Sequence, residues 1–196
     1  TNVKFTSDDS GFIARRGNVA YRVKFGSSYV EQLNPTLPNN LTMNWYSVSP
    51  DGSKMVMAAT RSTGNDREVA YIVYRGRFAE ARTVNRGVAD DDFKSESYLY
   101  MVDLTEFSEK TPNDGRAWEI YKWPQSKEYG QTSLAPNPWS QDGSKFTFAT
   151  WKRDKKELQV LVADGKTKKT EVVYTDNING GHTIPGRARP QFTPDG

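Results

Sequence analysis

The chain has 196 residues, 35% of them hydrophobic and 26% charged, with a net charge of +3 at pH 7. This length suits one ordinary globular domain, and no apolar run approaches the roughly 20 residues that a transmembrane helix needs. The absence of cysteine excludes disulfides and thiolate metal sites, and is compatible with a periplasmic or secreted location. Because lysine and arginine are scattered, no nucleic-acid binding is predicted.

Short segments rich in β-branched and aromatic residues recur along the chain and predict β-strands. The clearest segments are 69–74, 98–102, 158–162 and 171–174. No amphipathic stretch of ten or more residues favours a helix, so the chain is predicted to be all-β.

One turn occurs four times between these strands. The first three copies have an apolar stretch, a Ser or Thr, an Asp-Gly-type turn and a new apolar strand, and the fourth is cut off at its Asp-Gly. The copies are Thr6-Ser7-Asp8-Asp9-Ser10, Ser49-Pro50-Asp51-Gly52-Ser53, Ser140-Gln141-Asp142-Gly143-Ser144 and Thr193-Pro194-Asp195-Gly196. Asp-Gly supplies the positive φ that a two-residue hairpin needs, while Ser, Thr and Asp side chains can bond nearby backbone N–H groups. Recurrence every 40 to 50 residues or so is typical of repeat folds such as β-propellers.

The spacing of the turn aspartates predicts the repeat boundaries. The three intervals from Asp8 through Asp51 and Asp142 to Asp195 are 43, 91 and 53 residues. We therefore predict repeats near 1–40, 41–130 and 131–185, with the next blade starting at 186–196. The long middle interval predicts an insertion at about 60–96, with segments 98–104 and 117–123 as the third and fourth strands of that blade. Because the last turn stops halfway, we expect a longer polypeptide.

The Ser-Pro-Asp-Gly-Ser-Lys turn, followed by an apolar strand and then by Leu99-Tyr100-Met101-Val102-Asp103-Leu104, resembles a known repeat. It is similar to the propeller repeat of the TolB family and of the N-terminal propeller in dipeptidyl-peptidase-IV-like and other prolyl-oligopeptidase-type serine peptidases. The resemblance implies three to four four-stranded antiparallel blades of a larger β-propeller. It also implies a non-catalytic scaffold that binds or gates a substrate or partner, with a serine peptidase as one candidate for the whole protein.

Peptidase chemistry is not predicted for this segment itself. It contains no Gly-x-Ser-x-Gly nucleophile elbow. The adjacent Glu pair that captures the substrate amine in dipeptidyl-peptidase-IV-like enzymes is also missing from the sequence. A triad, if the whole protein has one, would lie outside these residues.

The alternative is a propeller-borne carbohydrate-active enzyme, such as a polysaccharide lyase. His182, the single histidine, stands in a Gly-rich segment together with Arg187 and Arg189. Such lyases use His as a base and Arg against a uronate carboxylate, so His182 is the catalytic candidate and the two arginines are binding candidates. Trp151 is a third binding candidate, since an exposed indole stacks on sugars or grips a peptide.

No cofactor or metal is predicted, because the chain has one histidine and its Asp90-Asp91-Asp92 run lacks the ligand spacing and glycine of a calcium loop. The partners that remain open are a peptide or polysaccharide substrate, a protein partner, and the remaining blades or a catalytic domain of a longer chain.

Overall fold

The computed structural model describes residues 3–38, 41–62, 68–85, 95–106, 115–123, 129–152, 157–177 and 188–195. These residues contain β-strands and no α-helix. The strands are β1 (Val3–Phe5), β2 (Gly11–Arg16), β3 (Val19–Lys24), β4 (Val30–Gln32), β5 (Thr42–Val48), β6 (Lys54–Ser62), β7 (Glu68–Arg75), β8 (Phe78–Asn85), β9 (Ser95–Asp103), β10 (Ala117–Trp123), β11 (Tyr129–Ser133), β12 (Lys145–Lys152), β13 (Glu157–Asp164) and β14 (Thr170–Asn177).

Three antiparallel four-stranded sheets, here called blades, follow one another along the chain. Blade 1 has the order β1-β2-β3-β4, blade 2 the order β5-β6-β9-β10, and blade 3 the order β11-β12-β13-β14. A separate two-stranded sheet, β7-β8, stands between β6 and β9 in the sequence, within the interval for which an insertion was predicted. The all-β propeller-blade fold class is confirmed. The repeat boundaries at 1–40, 41–130, 131–185 and 186–196 stay predictions.

Blade 2 is covered on both faces. Side chains alternate along its central strands, so that successive residues contribute to the apolar cores on opposite faces. Met55, Met57 and Ala59 of β6 belong to the apolar core shared with blade 1. Val56, which lies between two of them, belongs to the core shared with blade 3, where it joins Phe146. A strand buried on both faces reads as a continuous apolar run, as segment 55–59 does.

The repeated turn joins the first two strands of each blade, and its loop is longer than predicted. Ser49 N–H donates to the Lys54 carbonyl oxygen at 2.9 Å, which leaves four residues between this pair, and only Gly52 among them has a positive φ, of 73°. The prediction of a two-residue hairpin was therefore wrong. Four-residue loops of this kind are usually built on a type I turn.

Topology places the connections at two opposite ends of the blades. Within each antiparallel sheet, the turns after the first and third strands lie at one end, here called the turn end. The connection after the second strand and the exit of the fourth lie at the opposite end, here called the loop end. Consequently the β7-β8 sheet is attached at the loop end of blade 2, and β14 ends with Asn177 at the loop end of blade 3.

Candidate functional site

The turn end carries a row of closely packed turns, one from each blade. Ser7 Oγ of blade 1 donates to the Asp51 carbonyl oxygen of blade 2 at 2.6 Å. A Cβ on Gly52 would lie 2.8 Å from Ser7 Oγ, and a Cβ on Gly143 would lie 2.3 Å from Asp51 Oδ1. Glycine at these positions thus supplies a positive φ and also lets one turn approach the next.

In each of the three turns, neighbouring backbone and hydroxyl groups donate hydrogen bonds to the turn aspartate. In blade 2, Ser49 Oγ and Ser53 N donate to Asp51 Oδ1, at 2.6 and 3.1 Å. The matching bonds in blade 3 reach Asp142 Oδ1 at 2.6 and 3.0 Å. In blade 1, Ser10 donates to Asp8 Oδ1 through both its backbone and its hydroxyl. The carboxylates are therefore stabilised in the charged form.

These hydrogen bonds lower the pKa of the turn carboxyls. Bonds from the flanking Thr and Ser side chains lower the pKa of Asp8 to about 2. Bonds from the flanking serines also hold the pKa of Asp142 well below its usual range. For Asp51, burial is the largest influence and would raise the pKa, but the hydrogen bonds from the neighbouring serines outweigh it and lower the pKa.

We expect the chain to lose stability in acid because of these turns. A carboxyl whose pKa is lower in the folded chain stabilises the fold above its unfolded pKa of about 4, and this contribution is lost as pH falls towards the folded value. Urea unfolding from pH 6 to pH 2 should show the loss between about pH 4 and pH 2. Asp142→Asn should flatten this dependence relative to the wild-type chain. A variant with the same pH profile as the wild-type chain would contradict the assignment.

Two cavities lie between successive turns at this end. The first, of about 370 Å³, lies between blades 1 and 2 and is lined in part by Asp8, Lys24 and Asp51. The second, of about 410 Å³, is lined in part by Asp142 and Asp195. Both have the volume of small-ligand pockets, and turn carboxylates line both. Both are candidate binding cavities, and sequence analysis had not singled them out.

A buried ionic cluster joins blades 1 and 2 beside the first cavity. Glu31 of β4 is fully buried, and its Oε2 lies 2.6 Å from Arg22 Nε of β3. Its other carboxylate oxygen accepts a hydrogen bond from Arg116, which lies directly before β10 of blade 2. The two guanidinium groups also donate to main-chain carbonyls, Arg22 to Leu104 and both to Glu106. Pairing and hydrogen bonding of this kind make the burial of these charges tolerable.

Two of the four residues singled out from the sequence, Trp151 and Arg189, belong to the described part of the chain. His182 and Arg187 lie outside the described residues. Arg189 is exposed. Trp151 is half-buried near the loop end of β12, and its Nε1 is buried without a hydrogen-bond partner in the described part of the chain. These four assignments remain predictions.

The described residues place no group of three His, Asp or Glu side chains where they could hold a metal ion. In the same residues, no helix is long and apolar enough to cross a membrane.

Comparisons with known proteins identify the fold. A structure from Bacteroides ovatus, provisionally assigned as a dipeptidyl aminopeptidase IV, matches 91% of this chain at a TM-score of 0.57 and 10% identity. Dipeptidyl peptidase 4 from Porphyromonas gingivalis matches 91% at a TM-score of 0.57 and 13% identity. The matched regions are 24% and 26% of those two chains, so this chain spans about a quarter of their length.

A structure of oligogalacturonate lyase in complex with manganese gives a TM-score of 0.34 at 14% identity, over 89% of this chain and 52% of that one, and supports no inference here. No protein-family model and no curated protein sequence matches this chain significantly.

The class of structure follows from the stacked blades and these matches: the chain is a run of β-propeller blades. More particularly, its blades have the fold found in dipeptidyl-peptidase-IV-type structures, which confirms the sequence resemblance at the level of fold.

Proposed function

We propose that this chain is a non-catalytic β-propeller scaffold that binds or gates the substrate or partner of a longer protein, a prolyl-oligopeptidase-type serine peptidase or a TolB-like protein. The observation that supports the proposal most directly is the likeness of its three stacked blades to two dipeptidyl-peptidase structures, over 91% of this chain. Since a propeller serves unrelated functions in different proteins, the proposal also needs support from the chain itself.

That support comes from the outer apolar surfaces of the blade stack. On blade 1, Val3, Phe5 and Val30 are exposed, and on β14 of blade 3, Tyr174 is exposed opposite Val160, on the face turned away from blade 2. Both faces of blade 2 are covered by neighbouring blades. The outer faces of blades 1 and 3 are therefore suited to pack against further blades. In the proposed arrangement, the two turn-end cavities lie within a rigid, larger propeller and are available to a small polar ligand or to a peptide end.

The first test uses this chain alone. We expect it to hydrolyse no peptide substrate, because it contains no nucleophile elbow and has a single histidine as a candidate base. The assay should follow release of a chromogenic group from dipeptidyl and longer peptide substrates. Peptidase activity that copurifies with the chain and is abolished by His182→Ala would contradict the proposal.

The second test uses the intact longer protein and separates the scaffold from a propeller-borne lyase. For the scaffold, His182→Ala should leave turnover nearly unchanged and shift stability by less than about 1 kcal/mol. Arg189→Ala, an exposed substitution, serves as the matched control for stability. A fall in kcat of a hundredfold or more with the fold intact would favour the enzyme alternative, since general acid–base groups typically contribute about 10² to 10⁴ in rate.

A further inference from the structure

One backbone hydrogen bond recurs at the turn end of every blade and makes their positions comparable. The residue after the third strand donates its N–H, at 2.8 Å, to the carbonyl oxygen of the turn serine. The donors are Phe25, Leu104 and Gly165, and their acceptors are Ser10, Ser53 and Ser144. The cross-strand pair beside this bond is Gly11 with Lys24 in blade 1, Lys54 with Asp103 in blade 2, and Lys145 with Asp164 in blade 3. Blade 1 thus differs from the other two blades at both positions of the pair.

Blades 2 and 3 carry opposite charges at this pair of positions. Lys54 interacts electrostatically with Asp103 across the strands and also with the turn carboxylate of Asp51. Lys145 acts in the same way on Asp164. In these two blades, therefore, turn-end carboxylates lie close to a lysine of their own blade.

Blade 1 leaves the corresponding charges unbalanced. A Cβ on Gly11 would lie 2.0 Å from the Val23 carbonyl oxygen, so this position cannot carry the lysine of the other blades. Lys24 stands where the other blades have an aspartate, and it is exposed. Within the described part of the chain, neither Lys24 nor the turn carboxylate of Asp8 belongs to an ion pair, and no basic side chain there acts on Asp8.

Both of these unbalanced groups line the first cavity, of about 370 Å³, between blades 1 and 2. The other two charged side chains that line it are Arg22 and Asp51. Each of these already has an oppositely charged neighbour, since Arg22 pairs with Glu31 and Asp51 interacts with Lys54. One carboxylate and one ammonium group of blade 1 are therefore left for a ligand.

We propose that the first cavity binds a free amino acid, with the ligand's ammonium group against Asp8 and its carboxylate against Lys24. A zwitterion supplies both missing charges at once, and charge-assisted hydrogen bonds of this kind are among the stronger ones. The hydroxyl groups of Ser7, Ser10 and Thr105 line the same cavity and can bond a polar ligand. This site rests on the proposed scaffold function and gives it a ligand class.

Titration followed by NMR of the backbone amides of this chain tests the site. The probes are glycine, 4-aminobutyrate and 6-aminohexanoate, which differ in the distance between their two charged groups. We expect at least one of them to bind with a Kd of about 1 mM or tighter and to shift the amides of Gly11 and Thr105. Butylamine and butyrate have the carbon chain of 4-aminobutyrate with one charge each, and both should bind about tenfold more weakly than the best zwitterion.

Two variants connect binding to the unbalanced groups. Lys24→Gln should weaken binding of the best probe by about tenfold or more, because it removes the ammonium that faces the ligand carboxylate. Asp8→Asn should do the same while it keeps an oxygen that accepts the turn hydrogen bonds. Lys166→Gln, at an exposed lysine of the blade 3 turn end outside the cavity, is the control and should leave Kd unchanged.

Three outcomes would overturn the site: no binding of any of the three zwitterions, equal binding of butylamine or butyrate, or an unchanged Kd in Lys24→Gln. The titration measures no turnover. A negative result would therefore remove the amino-acid site and leave the scaffold function to the peptide-hydrolysis and His182→Ala tests.

Discussion

Phe146→Ala should lower the free energy of unfolding by about 4 kcal/mol, one of the two largest effects expected of a single substitution in this chain. Phe146 is fully buried at the interface of blades 2 and 3. Its ring packs edge-on against Trp139, with ring centroids 5.1 Å apart, and lies 6.4 Å from the Trp45 ring of blade 2. Truncation removes these contacts and leaves a cavity that close-packed neighbours fill only in part.

Urea unfolding followed by tryptophan fluorescence measures this effect. The matched control is Phe5→Ala, because Phe5 is 62% exposed on the outer face of blade 1. We expect the control to cost less than about 1 kcal/mol. Similar losses for both variants would contradict the position of Phe146 between two blades.

Glu31→Gln should cost about 3 kcal/mol, since it removes the buried carboxylate that two partly buried guanidinium groups share. Glu31 is fully buried and pairs with Arg22 of its own blade and Arg116 of blade 2. Thermal and urea unfolding both measure this change. Glu171→Gln is the control, because Glu171 is an exposed glutamate on β14, and it should cost about 0.5 kcal/mol or less.

A combined variant distinguishes two contributions to the free energy of unfolding: the loss caused by removing one member of the ion cluster, and the net contribution of the whole cluster. Replacing all three members, by Arg22→Met, Glu31→Leu and Arg116→Met, removes the three charges of the cluster together. Such replacements are often neutral or stabilising, so the triple variant should be more stable than Glu31→Gln. A triple variant that is less stable than Glu31→Gln would show that the attraction within the cluster exceeds the cost of desolvating its charges.

The fold was predictable from the sequence because its strongest signals are local. The Asp-Gly turn at Asp51 and Asp142, the apolar run 55–59 and the β-branched strands each specify their structure within a few residues. The turn's loop length was predicted wrongly because Asp-Gly dipeptides also occur in four-residue loops. There the serine before the turn pairs with the lysine after it, as Ser49 does with Lys54.

The candidate site was harder to predict from the sequence, because its contacts join residues that are far apart in the chain. Glu31 and Arg116 are 85 residues apart, and they meet only because blades 1 and 2 pack face to face. An Arg and a Glu opposite each other on adjacent strands, as Arg22 and Glu31 are, was the one available sequence signal. The functional assignment of His182 depended on a family resemblance and not on geometry, and it stays a prediction.

Hydrogen exchange of the backbone amides tests most directly the central claim, that this chain is a stack of blades whose middle sheet is buried on both faces. Strands β6 and β9 lie at the centre of blade 2, and their alternate residues face both cores. We therefore expect their amides to exchange only through global unfolding, whereas the amides of β14, an outer strand with exposed side chains, should exchange through local opening and much faster. Exchange of β6 and β9 as fast as that of β14 would contradict the stacked-blade structure and the scaffold function that rests on it.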